Sequence, residues 1–342
     1  MNGMATIRDV AKVAGVSVST VSLALNQKER VSSKTFRKII EAAESTGYVA
    51  NPIAKSLRKG RSPFVSLIVS DIRNYFSQMF LAEFEHRAFE KGYLLTLSDK
   101  SGLASDETAV IRQLIAQRVT GVMISPTQQT RALLPQLDQA GVPVVLYDHQ
   151  IPDAGYDFVG LDNRLAVGIL TRHLFGLGHR RIAYIGGEPG LWTTNERELG
   201  FRKAMDSQGL PIDPDTLVSG NYTRDGGHRA SMKLLCDARP VTAIIAANNE
   251  MMIGTLQAAQ ELGFRCPDDL SICCIDEAPW GDVLRPRVTH AAQPAREMAI
   301  RAATWLLERL EDPNAAIEPR SEAFAPTFVP GETTGRPAAQ RG

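Results

Sequence analysis

Short apolar stripes at helical spacing, each preceded by a residue that can cap a helix, mark the first fifty residues. Thr6 and Asp9 have the spacing of a capping box, and Ser17 can cap a second helix. Gly15, between them, permits the backbone of a tight turn. The apolar positions repeat at intervals of three and four residues and are Ile7, Val10, Ala11, Ala14, Val21, Ala24 and Leu25. The pattern predicts two short helices joined by a turn, which is the shape of a helix-turn-helix.

A third helix and a short linker helix are predicted next. Ser32 can cap a helix over 33–46, and Gly47 is a typical residue at which such a helix ends. The segment 51–60 starts with Asn-Pro and ends with Gly, as helices often do. At about two turns it is too short to be stable alone in water. We therefore predict a helix-turn-helix DNA-binding domain over 1–50 and a hinge over 51–61 that is helical only against a partner or DNA.

Beyond residue 61 the pattern changes to continuous apolar runs that alternate with helical stretches. The strand-like runs are 65–69, 93–97, 121–124, 144–147, 158–161, 181–185, 242–246 and 270–275. The helical stretches are 79–91, 106–117, 165–177, 196–208, 226–236, 250–262 and 296–310. Continuous runs are typical of parallel strands covered on both faces, and their alternation with helices predicts right-handed βαβ units.

The number of these strands bears on the domain organisation. They are too many for one small sheet, so residues 62–330 are predicted to form two similar α/β lobes with doubly wound parallel sheets and a cleft between them. The tail over 331–342 is rich in Gly, Pro, Ala and Thr and is predicted to be disordered. It has no apolar heptads that could form an additional coiled coil, which favours a dimer over a tetramer.

Charge divides the chain at the same place as the apolar pattern. Residues 1–61 hold eleven Lys and Arg against four Asp and Glu, a net charge of +7. Because the whole chain is neutral, the remainder carries −7. A basic head with a helix-turn-helix pattern on an acidic body is typical of a protein that binds DNA phosphates. The alternative, a solvated helical surface, does not account for both features together.

Leu57 stands among cationic residues of the linker, where an exposed leucine is a poor surface choice. One interpretation is an apolar wedge pushed between base pairs in the minor groove, with Lys55, Arg58 and Lys59 near phosphates. The other is a flexible linker whose leucine covers the body domain. The pattern leaves both interpretations open.

Polar residues follow nearly every predicted strand, where ligands bind in open α/β sheets. They are Asp71, Asp99, Ser125, Asp148, Asp162, Asn163, Asn248, Asn249, Asp276 and Glu277. Aromatic residues occur near the same strand ends, namely Tyr75, Phe76, Trp192, Tyr222 and Trp280. Acceptors beside aromatic rings suit a sugar-like or other small polar ligand, for which Arg197 is the candidate clamp. For Asp71, Asp99 and Asp162 a simple role as helix caps stays open.

From Thr6 to Leu57 the order and spacing of these residues resemble the DNA-binding head and hinge of the lactose-repressor (LacI/GalR) family. The body resembles that family's sensor. The resemblance implies an all-α helix-turn-helix head on a two-lobed α/β effector domain of the periplasmic-binding-protein-like fold. It also implies that a homodimer reads a near-palindromic double-stranded DNA operator, with paired hinge helices in the minor groove. It supports ligand contacts by Tyr75, Phe76, Asp148, Arg197, Tyr222, Asn248 and Asp276.

The resemblance assigns DNA contacts by position. Val18, Ser19 and Leu23 are the implied base readers, with Arg30 as a further contact. The implied backbone contacts are Ser17, Thr20, Ser22, Asn26, Ser32, Thr35 and Asn51; Thr6, Lys55 and the hinge leucine Leu57 complete the predicted set. Leu23 departs from the long polar side chain that many members of the family carry, and leucine cannot make the bonds to guanine that Arg makes. Asn249 also departs from the family, which often has Asp there.

Catalytic, metal and cofactor signatures are missing from the sequence. There is no G-x-x-x-x-G-K-S/T, G-x-S-x-G, H-E-x-x-H or G-x-G-x-x-G motif. The six histidines are scattered and the four cysteines lack metal-ligand spacing, so we expect no enzymatic activity, no metal and no cofactor. Neither a signal peptide nor a membrane-spanning run is found, which favours a cytoplasmic, nucleoid-associated regulator without a membrane partner. The alternative is a solute-binding protein with the same two-lobed body.

An allosteric response is predicted from this organisation. Effector binding that closes or twists the two lobes changes the separation of the hinges in a dimer, and therefore the affinity for DNA. The sequence leaves open whether the effector releases the operator or promotes its binding. Release is the commoner arrangement in the family and is our hypothesis.

Overall fold

The computed structural model describes residues 5–26, 30–48, 62–100, 107–278, 280–281, 283, 285–312 and 315–338. The contacts within the protein divide it into two compact units, one ending at Pro63 and the other beginning at Phe64. The predicted hinge lies outside the described residues, and with it the DNA contacts predicted for Asn51, Lys55 and Leu57.

Three helices around a small apolar core form the first unit. They are α1 (Ile7–Ala14), α2 (Val18–Asn26) and α3 (Ser33–Thr46). Asp9 accepts hydrogen bonds from the backbone N–H and the hydroxyl of Thr6, and Ser17 Oγ accepts from Thr20 N–H at the start of α2. The core residues are Val10, Ala11, Ala14, Val21, Ala24, Ile39 and Ala42. The predicted helix-turn-helix and third helix are confirmed.

Strands and helices alternate through the second unit. Its first half contains β1 (Phe64–Val69), α4 (Tyr75–Glu90), β2 (Leu94–Asp99), α5 (Glu107–Ala116), β3 (Gly121–Ile124), α6 (Thr130–Gln139), β4 (Val144–Tyr147) and β5 (Asp157–Leu161). Its second half contains α7 (Asn163–Gly176), β6 (Ile182–Gly186), α8 (Trp192–Ser207), β7 (Leu217–Ser219), α9 (Arg224–Leu235), β8 (Ala243–Ala246), α10 (Asn249–Glu261), β9 (Ser271–Ile275), β10 (Thr289–Ala292), α11 (Ala295–Glu311), β11 (Ser321–Phe324) and β12 (Thr327–Val329).

The strands form two six-stranded sheets, one in each lobe. The first has the order β11-β5-β4-β3-β1-β2 and is parallel throughout. Apolar clusters cover its two faces, one under α4 and α11 and one under α5 and α6. The second has the order β12-β10-β9-β8-β6-β7 and is parallel except for β12. The predicted pair of α/β lobes is confirmed, and the chain passes between them after β5, after β10 and after β11.

Five elements of the second unit were not predicted, and each has a local reason. The strands β7, β10, β11 and β12 are only three or four residues long and lie at or next to a sheet edge, where few apolar residues are needed. The helix α6 contains Pro135, a residue that normally indicates the end of a helix. In addition, α4 and α8 begin four residues earlier than predicted, and their first turns carry residues of the cleft.

The predicted disorder of the tail is wrong for residues 331–338, which are ordered against the second sheet. Thr333 is fully buried, and its hydroxyl donates to Ile272 O at 2.6 Å. The buried His179 has Nε2 2.8 Å from Gly335 O. A polar segment can be held in place when its hydroxyls and carbonyls pair with buried groups of a sheet, and composition alone does not reveal such pairing.

A buried carboxylate joins the first sheet to the returning chain. Asp157, at the start of β5, accepts from Arg309 Nε at 2.7 Å and from Arg309 Nη2 at 2.8 Å. Arg320, just before β11, donates to the same carboxylate from its backbone N–H at 2.8 Å and from Nη2 at 2.9 Å. Burial works to raise the pKa of Asp157, but the bonds from both arginines outweigh it and hold the pKa below its ordinary value. The cluster therefore fixes the strand that re-enters the first lobe.

Asp157→Ala is expected to lower the free energy of unfolding by about 3 kcal/mol, because the half-buried Arg309 and Arg320 lose the buried carboxylate that they share. In the wild-type protein this contribution is present above the pKa of an unfolded aspartate, about 3.9, and is lost as the pH falls through the lower folded value. Urea denaturation at neutral pH measures the loss. Asp206→Ala, at an exposed acid on α8, is the control, with a change expected within about 0.5 kcal/mol. Equal losses in the two variants would contradict the role given to the cluster.

Candidate functional site

A cavity of about 400 Å³ lies between the two lobes, where strands of both sheets reach their carboxyl ends. Ligands of open α/β sheets bind beyond this edge. The first lobe contributes Ser70, Asp71, Arg73, Asn74, Phe76, Ser77, Lys100, Pro126, Thr127, Asp148 and His149. The second contributes Glu188, Leu191, Thr193, Arg197, Asn221, Tyr222, Thr223, Asn248, Glu250 and Asp276, and Gln293 lies on a crossing between the lobes. We call this cavity the inner chamber.

Four residues of the inner chamber have a left-handed backbone, which side chains other than glycine seldom adopt. They are Asp148 (φ 63°), Asn221 (φ 53°), Tyr222 (φ 59°) and Asp276 (φ 77°). Residues held in such a conformation cost about 1–3 kcal/mol each and cluster at functional sites. Asp148 directly follows β4 and Asp276 directly follows β9. These two turns therefore place one carboxylate from each lobe in the wall of the chamber.

Arg197, on α8, is almost fully buried in the wall of the inner chamber. Its Nε donates to Asn163 Oδ1 at 2.7 Å, and its Nη1 donates to Ala247 O at 2.6 Å. Burial alone would lower the pKa of Arg197, but the neighbouring Tyr222 and Asp276 help to raise it above its ordinary value. The guanidinium is therefore charged and held in one position, as a clamp for a polar ligand requires.

Asp276 and Gln293 form a polar pair where the chain crosses between the lobes. Burial raises the pKa of Asp276, although Arg197 and a hydrogen bond from Gln293 Nε2 to Asp276 Oδ1 oppose the shift. Gln293 Oε1 is buried and has no hydrogen-bond donor among the described residues. A buried acceptor without a donor is costly unless a ligand supplies one. The pair therefore suits a ligand that carries hydroxyl or amine hydrogens.

A series of hydrogen bonds crosses from the first lobe to the second along the wall of the chamber. His149 Nδ1 lies 2.8 Å from Thr193 Oγ1, which lies 3.3 Å from Tyr222 OH. Thr194 Oγ1 donates to the same Tyr222 hydroxyl at 3.0 Å. Burial lowers the pKa of His149 despite the adjacent Asp148 carboxylate. The imidazole is therefore neutral at neutral pH, and its bond to Thr193 links the two lobes.

Sequence reasoning missed a buried ion pair at the inner chamber. Lys100 Nζ lies 3.0 Å from Glu107 Oε1, and it also donates to Ser125 O. Glu107 Oε2 accepts from Thr127 Oγ1 at 2.9 Å and from Thr130 Oγ1 at 2.7 Å. Burial lowers the pKa of Lys100, and Glu107 opposes that shift. The one available signal was that Lys100 directly follows the polar end of β2, because Glu107 belongs to no recognisable motif.

Six of the nine predicted effector residues line the inner chamber. They are Phe76, Asp148, Arg197, Tyr222, Asn248 and Asp276. Ser125 is attached to it through its hydroxyl, which lies 2.8 Å from Ser70 Oγ and 3.4 Å from Asp148 Oδ2. Tyr75 and Trp192 line two neighbouring cavities instead. Trp192 packs edge-on against Phe158, with ring centroids 5.4 Å apart.

Some of the polar residues that follow strands cap helices, some line the inner chamber, and some do both. Asp162 caps α7 by accepting from Leu165 N–H at 2.9 Å, and it does not line the chamber. Asn248 does both, because it lines the chamber and its Oδ1 accepts from Met251 N–H at 2.9 Å. Asp71 also lines the chamber and forms an ion pair with Arg73 at 2.8 Å. A polar strand end alone therefore does not identify a ligand contact.

In the first unit, four of the predicted DNA contacts, Ser17, Val18, Ser19 and Thr20, lie at the start of α2. Ser17, Val18 and Ser19 are exposed, with 41% of Val18 accessible. Ser17 Oγ lies 2.7 Å from both Ser19 Oγ and Thr20 Oγ1. Thr20, Ser22, Leu23 and Thr35 are half-buried, whereas Thr6, Arg30 and Ser32 are exposed. The side chain of Asn26 lies outside the described residues, and the DNA-contacting roles stay predictions.

Metal-ligating clusters, membrane-spanning helices and thiols are the remaining features that bear on the function. No group of three or more His, Cys, Asp or Glu in the described part of the chain could hold a metal ion, and no helix there is long and apolar enough to cross a membrane. Burial raises the pKa of the Cys266 thiol to about 12 and raises that of Cys273 and Cys274 as well. These three thiols are therefore protonated at neutral pH and unreactive.

Two family models match the chain. Residues 6–51 match bacterial regulatory proteins of the lacI family, and residues 171–334 match a periplasmic binding protein-like domain. The HTH-type transcriptional repressor PurR of Vibrio cholerae is 31% identical over 312 residues, which cover 90% of this chain and 92% of that protein. The chain belongs to the lacI family of bacterial regulatory proteins. It is therefore a DNA-binding transcriptional repressor with an effector-binding domain, and the family is one of regulators rather than enzymes.

Further relatives agree with this assignment. The HTH-type transcriptional regulator DegA of Bacillus subtilis is 31% identical over 296 residues, covering 86% of this chain and 88% of that protein. The complex of the transcriptional regulator CelR with cellobiose is 28% identical, with a TM-score of 0.71, over 96% of this chain and 99% of that one. The lac repressor dimer bound to operator and the anti-inducer ONPF is 25% identical, with a TM-score of 0.85, over 97% of this chain and 100% of that one.

Acid is expected to weaken the contact between the lobes, because His149 is held neutral in the folded protein. A histidine whose folded pKa lies below its unfolded value of about 6.5 stabilises the fold fully above that value, and this contribution is lost as the pH falls. The Tm should therefore fall between about pH 7 and pH 5, and fall less in His149→Gln. His86→Gln, at an exposed histidine on α4, is the control and should keep the wild-type slope. A wild-type slope in His149→Gln would count against this role.

Proposed function

We propose that this protein represses transcription as a homodimer on a near-palindromic operator and is released from it by a small, polar, sugar-like effector bound in the inner chamber. One observation carries the proposal. A basic helix-turn-helix head and an interlobe chamber lined by fixed hydrogen-bonding side chains occur in one chain of the lacI family. A protein that only carried a solute would have no use for the head.

The charge and the exposed surface of the head support operator binding. A net charge of +7 over 1–61 favours contact with several phosphates, whose released counterions make the affinity depend on salt. Val18 and Ser19 are exposed in the first turn of α2, the part of a recognition helix that contacts base edges. Leu23 can contact a thymine methyl but cannot bond guanine. We therefore assign part of the specificity to Arg30 and to DNA shape.

Exposed apolar side chains near the edge of the first sheet support the homodimer. The strand β2 is an edge strand, and Leu94 and Leu97 on it are 40% and 41% exposed. Phe89, near the end of α4, is 66% exposed. Apolar side chains beside an unpaired strand edge mark a protein–protein contact. A second copy of this chain is the partner we propose, since a near-palindromic operator needs two heads related by a twofold axis.

The chemistry of the inner chamber supports an effector rich in hydroxyl groups. Asp148, Asp276 and Gln293 Oε1 are acceptors in its wall, and Arg197 is a fixed donor. The Tyr222 ring adds a surface for C–H groups. Few polar groups at fixed positions beside an aromatic ring are typical of small-molecule sites. The related regulator CelR is a precedent, because it forms a complex with the sugar cellobiose.

The position of the chamber between the lobes also supports a mechanism by which the effector changes the affinity for DNA. Its walls come from both lobes, and a ligand that bonds Asp148 in one lobe and Arg197 in the other favours one relative position of the lobes. In a dimer that position sets the separation of the two hinges. Release follows if the effector favours the state with separated hinges. The shift in DNA affinity cannot exceed the differential affinity of the effector for the two states, typically ~1–3 kcal/mol.

Selection of genomic DNA tests the proposal directly. The purified protein is mixed with fragmented DNA from its source at ~0.1 M salt, which already weakens nonspecific phosphate binding. Enrichment of a near-palindrome with a deformable central step is expected. If no sequence is enriched with or without cell metabolites, the proposed near-palindromic operator is wrong.

Ser19→Glu is expected to lower affinity for the enriched operator by about tenfold or more, because it places a negative charge where a base contact is predicted. Fluorescence anisotropy with labelled operator measures the change. Ser45→Glu adds the same charge to an exposed position on α3 outside the predicted contact set, and should change the affinity far less. Equal effects of the two substitutions would remove Ser19 from the interface.

Arg197→Ala is expected to abolish the effector response while leaving operator affinity within about twofold, since the effector and the operator bind different parts of the chain. Arg197→Lys keeps the charge but not the planar fork that bonds Asn163 and Ala247, so it should also respond poorly. Operator release by the sugar that acts on the wild type is the measurement, and thermal unfolding checks that both variants are folded. A normal response in both variants would exclude Arg197 from the site.

A further inference from the structure

We infer that the effector has two linked sugar-like rings, and that the second ring occupies a separate cavity beside the inner chamber. The inference rests on the proposed function, because it specifies the ligand of the same cleft. The second cavity has a volume of about 350 Å³ and is walled by both lobes. We call it the outer chamber. Small-molecule sites range over about 300–1,000 Å³, so each chamber by itself is near the lower end of that range.

The two chambers share part of their walls. Pro126, Thr127, His149 and Leu191 line both of them. His149 belongs to the first lobe and Leu191 to the second, so the boundary between the chambers is a region where the lobes meet. One ligand that passes this boundary touches both lobes in both chambers. In our inference the two chambers are therefore two parts of one elongated site.

The outer chamber differs from the inner chamber in its chemistry. The carboxylates of the inner wall are Asp71, Asp148, Glu188, Glu250 and Asp276. No carboxylate occurs among the described residues that line the outer chamber, whose polar side chains include Gln128, Gln150 and Asn195. The cation Arg131 also lines it and donates a hydrogen bond to Pro152 O. Amides both donate and accept hydrogen bonds, as the hydroxyls of a sugar ring do. With the ring of Trp192 in the same wall, this chamber suits a sugar ring, whose hydroxyls can accept hydrogen bonds from Arg131 as well as from the amides.

A contact between the lobes makes the outer chamber depend on closure of the two lobes. Gln128 Nε2, from the first lobe, donates to Gly190 O, from the second, at 2.8 Å. The approach is close, because a Cβ at residue 190 would lie 2.3 Å from that nitrogen. Both residues line the outer chamber, which is therefore complete only when the lobes are together. A two-ring ligand gains contacts in this closed state that one ring cannot make, and so shifts the lobes further toward it.

Isothermal titration calorimetry of the full-length protein distinguishes an effector with one sugar ring from an effector with two. The probes are cellobiose, maltose and lactose, with glucose and galactose as their constituents. We expect at least one disaccharide to bind once per chain and about tenfold or more tightly than its constituents. If a monosaccharide binds as tightly as every disaccharide, or binds twice per chain, the two-ring inference is wrong and the sugar-like effector stands.

Asn195→Trp tests the chamber itself, because Asn195 is an exposed residue of α8 in the outer wall. The larger side chain should lower disaccharide affinity to that of the constituent monosaccharide and leave monosaccharide binding within about twofold. Lys203→Trp, exposed on the same helix outside both chambers, should bind as the wild type does. Operator binding checks the fold of both variants.

The remaining outcomes are also decisive. Unchanged disaccharide affinity in Asn195→Trp overturns the inference. If no probe sugar binds the wild type, the sugar-like effector of the proposed function is wrong, and the two-ring inference falls with it.

Discussion

The common direction of the strands in each sheet decides where the chemistry of this protein lies. Parallel strands end at one edge, so the residues that follow them gather there without being close in sequence. In the first lobe this brings Lys100 and Asp148 together, and in the second it brings Asn248 and Asp276 together. Three passages of the chain between the lobes hold the two edges at one chamber. The site therefore follows from topology and needs no local motif.

Burial of charge is the cost of this arrangement, and the fold offsets it with fixed partners. Arg197 is held by an amide oxygen and a backbone carbonyl, and Lys100 by the carboxylate of Glu107. An unpaired charge in the same positions would cost several kcal/mol. Because these partners come from the protein, the polar groups are in position before a ligand arrives. Preorganisation of this kind lowers the free energy that binding must supply to order the site.

The parts of the fold that were predictable are those with local causes. Ser17 and Ser32 each bond a backbone N–H three residues away, so their helices can be read from a short window. Seven of the eight predicted strands are buried along almost their whole length, so each gives a continuous apolar run that can be recognised in the sequence; the eighth, β2, is a partly exposed edge strand. By contrast, β11 pairs with β5, which precedes it by about 160 residues, and its exposed edge carries little apolar signal. Such pairing is fixed by tertiary contact rather than by pattern.

The residues of the candidate site also divide into those that could be predicted from local sequence and those that are fixed by tertiary contacts. Asp148 and Asp276 were predictable because a polar residue after a buried strand has a known place in the sheet. Trp192 was also predicted to contact the effector because it lies near the end of a strand. Its ring instead packs on Phe158 and lines the outer chamber. The partnership of Lys100 with Glu107 depends on side-chain directions across a connection, which no periodicity encodes. Side-chain direction is thus the limit of what the sequence reveals about this site.

The small core of the head bears on the proposed control of DNA binding by an effector. Its core has seven buried apolar residues in the described part of the chain, and four of them are alanines. A domain of this size buries little apolar surface, so its own folding contributes only a modest free energy of stabilisation. In the proposed mechanism, an effector that shifts the equilibrium between the two states by ~1–3 kcal/mol alters the operator affinity about 5–150-fold, which is enough to switch the repressor between its bound and free states.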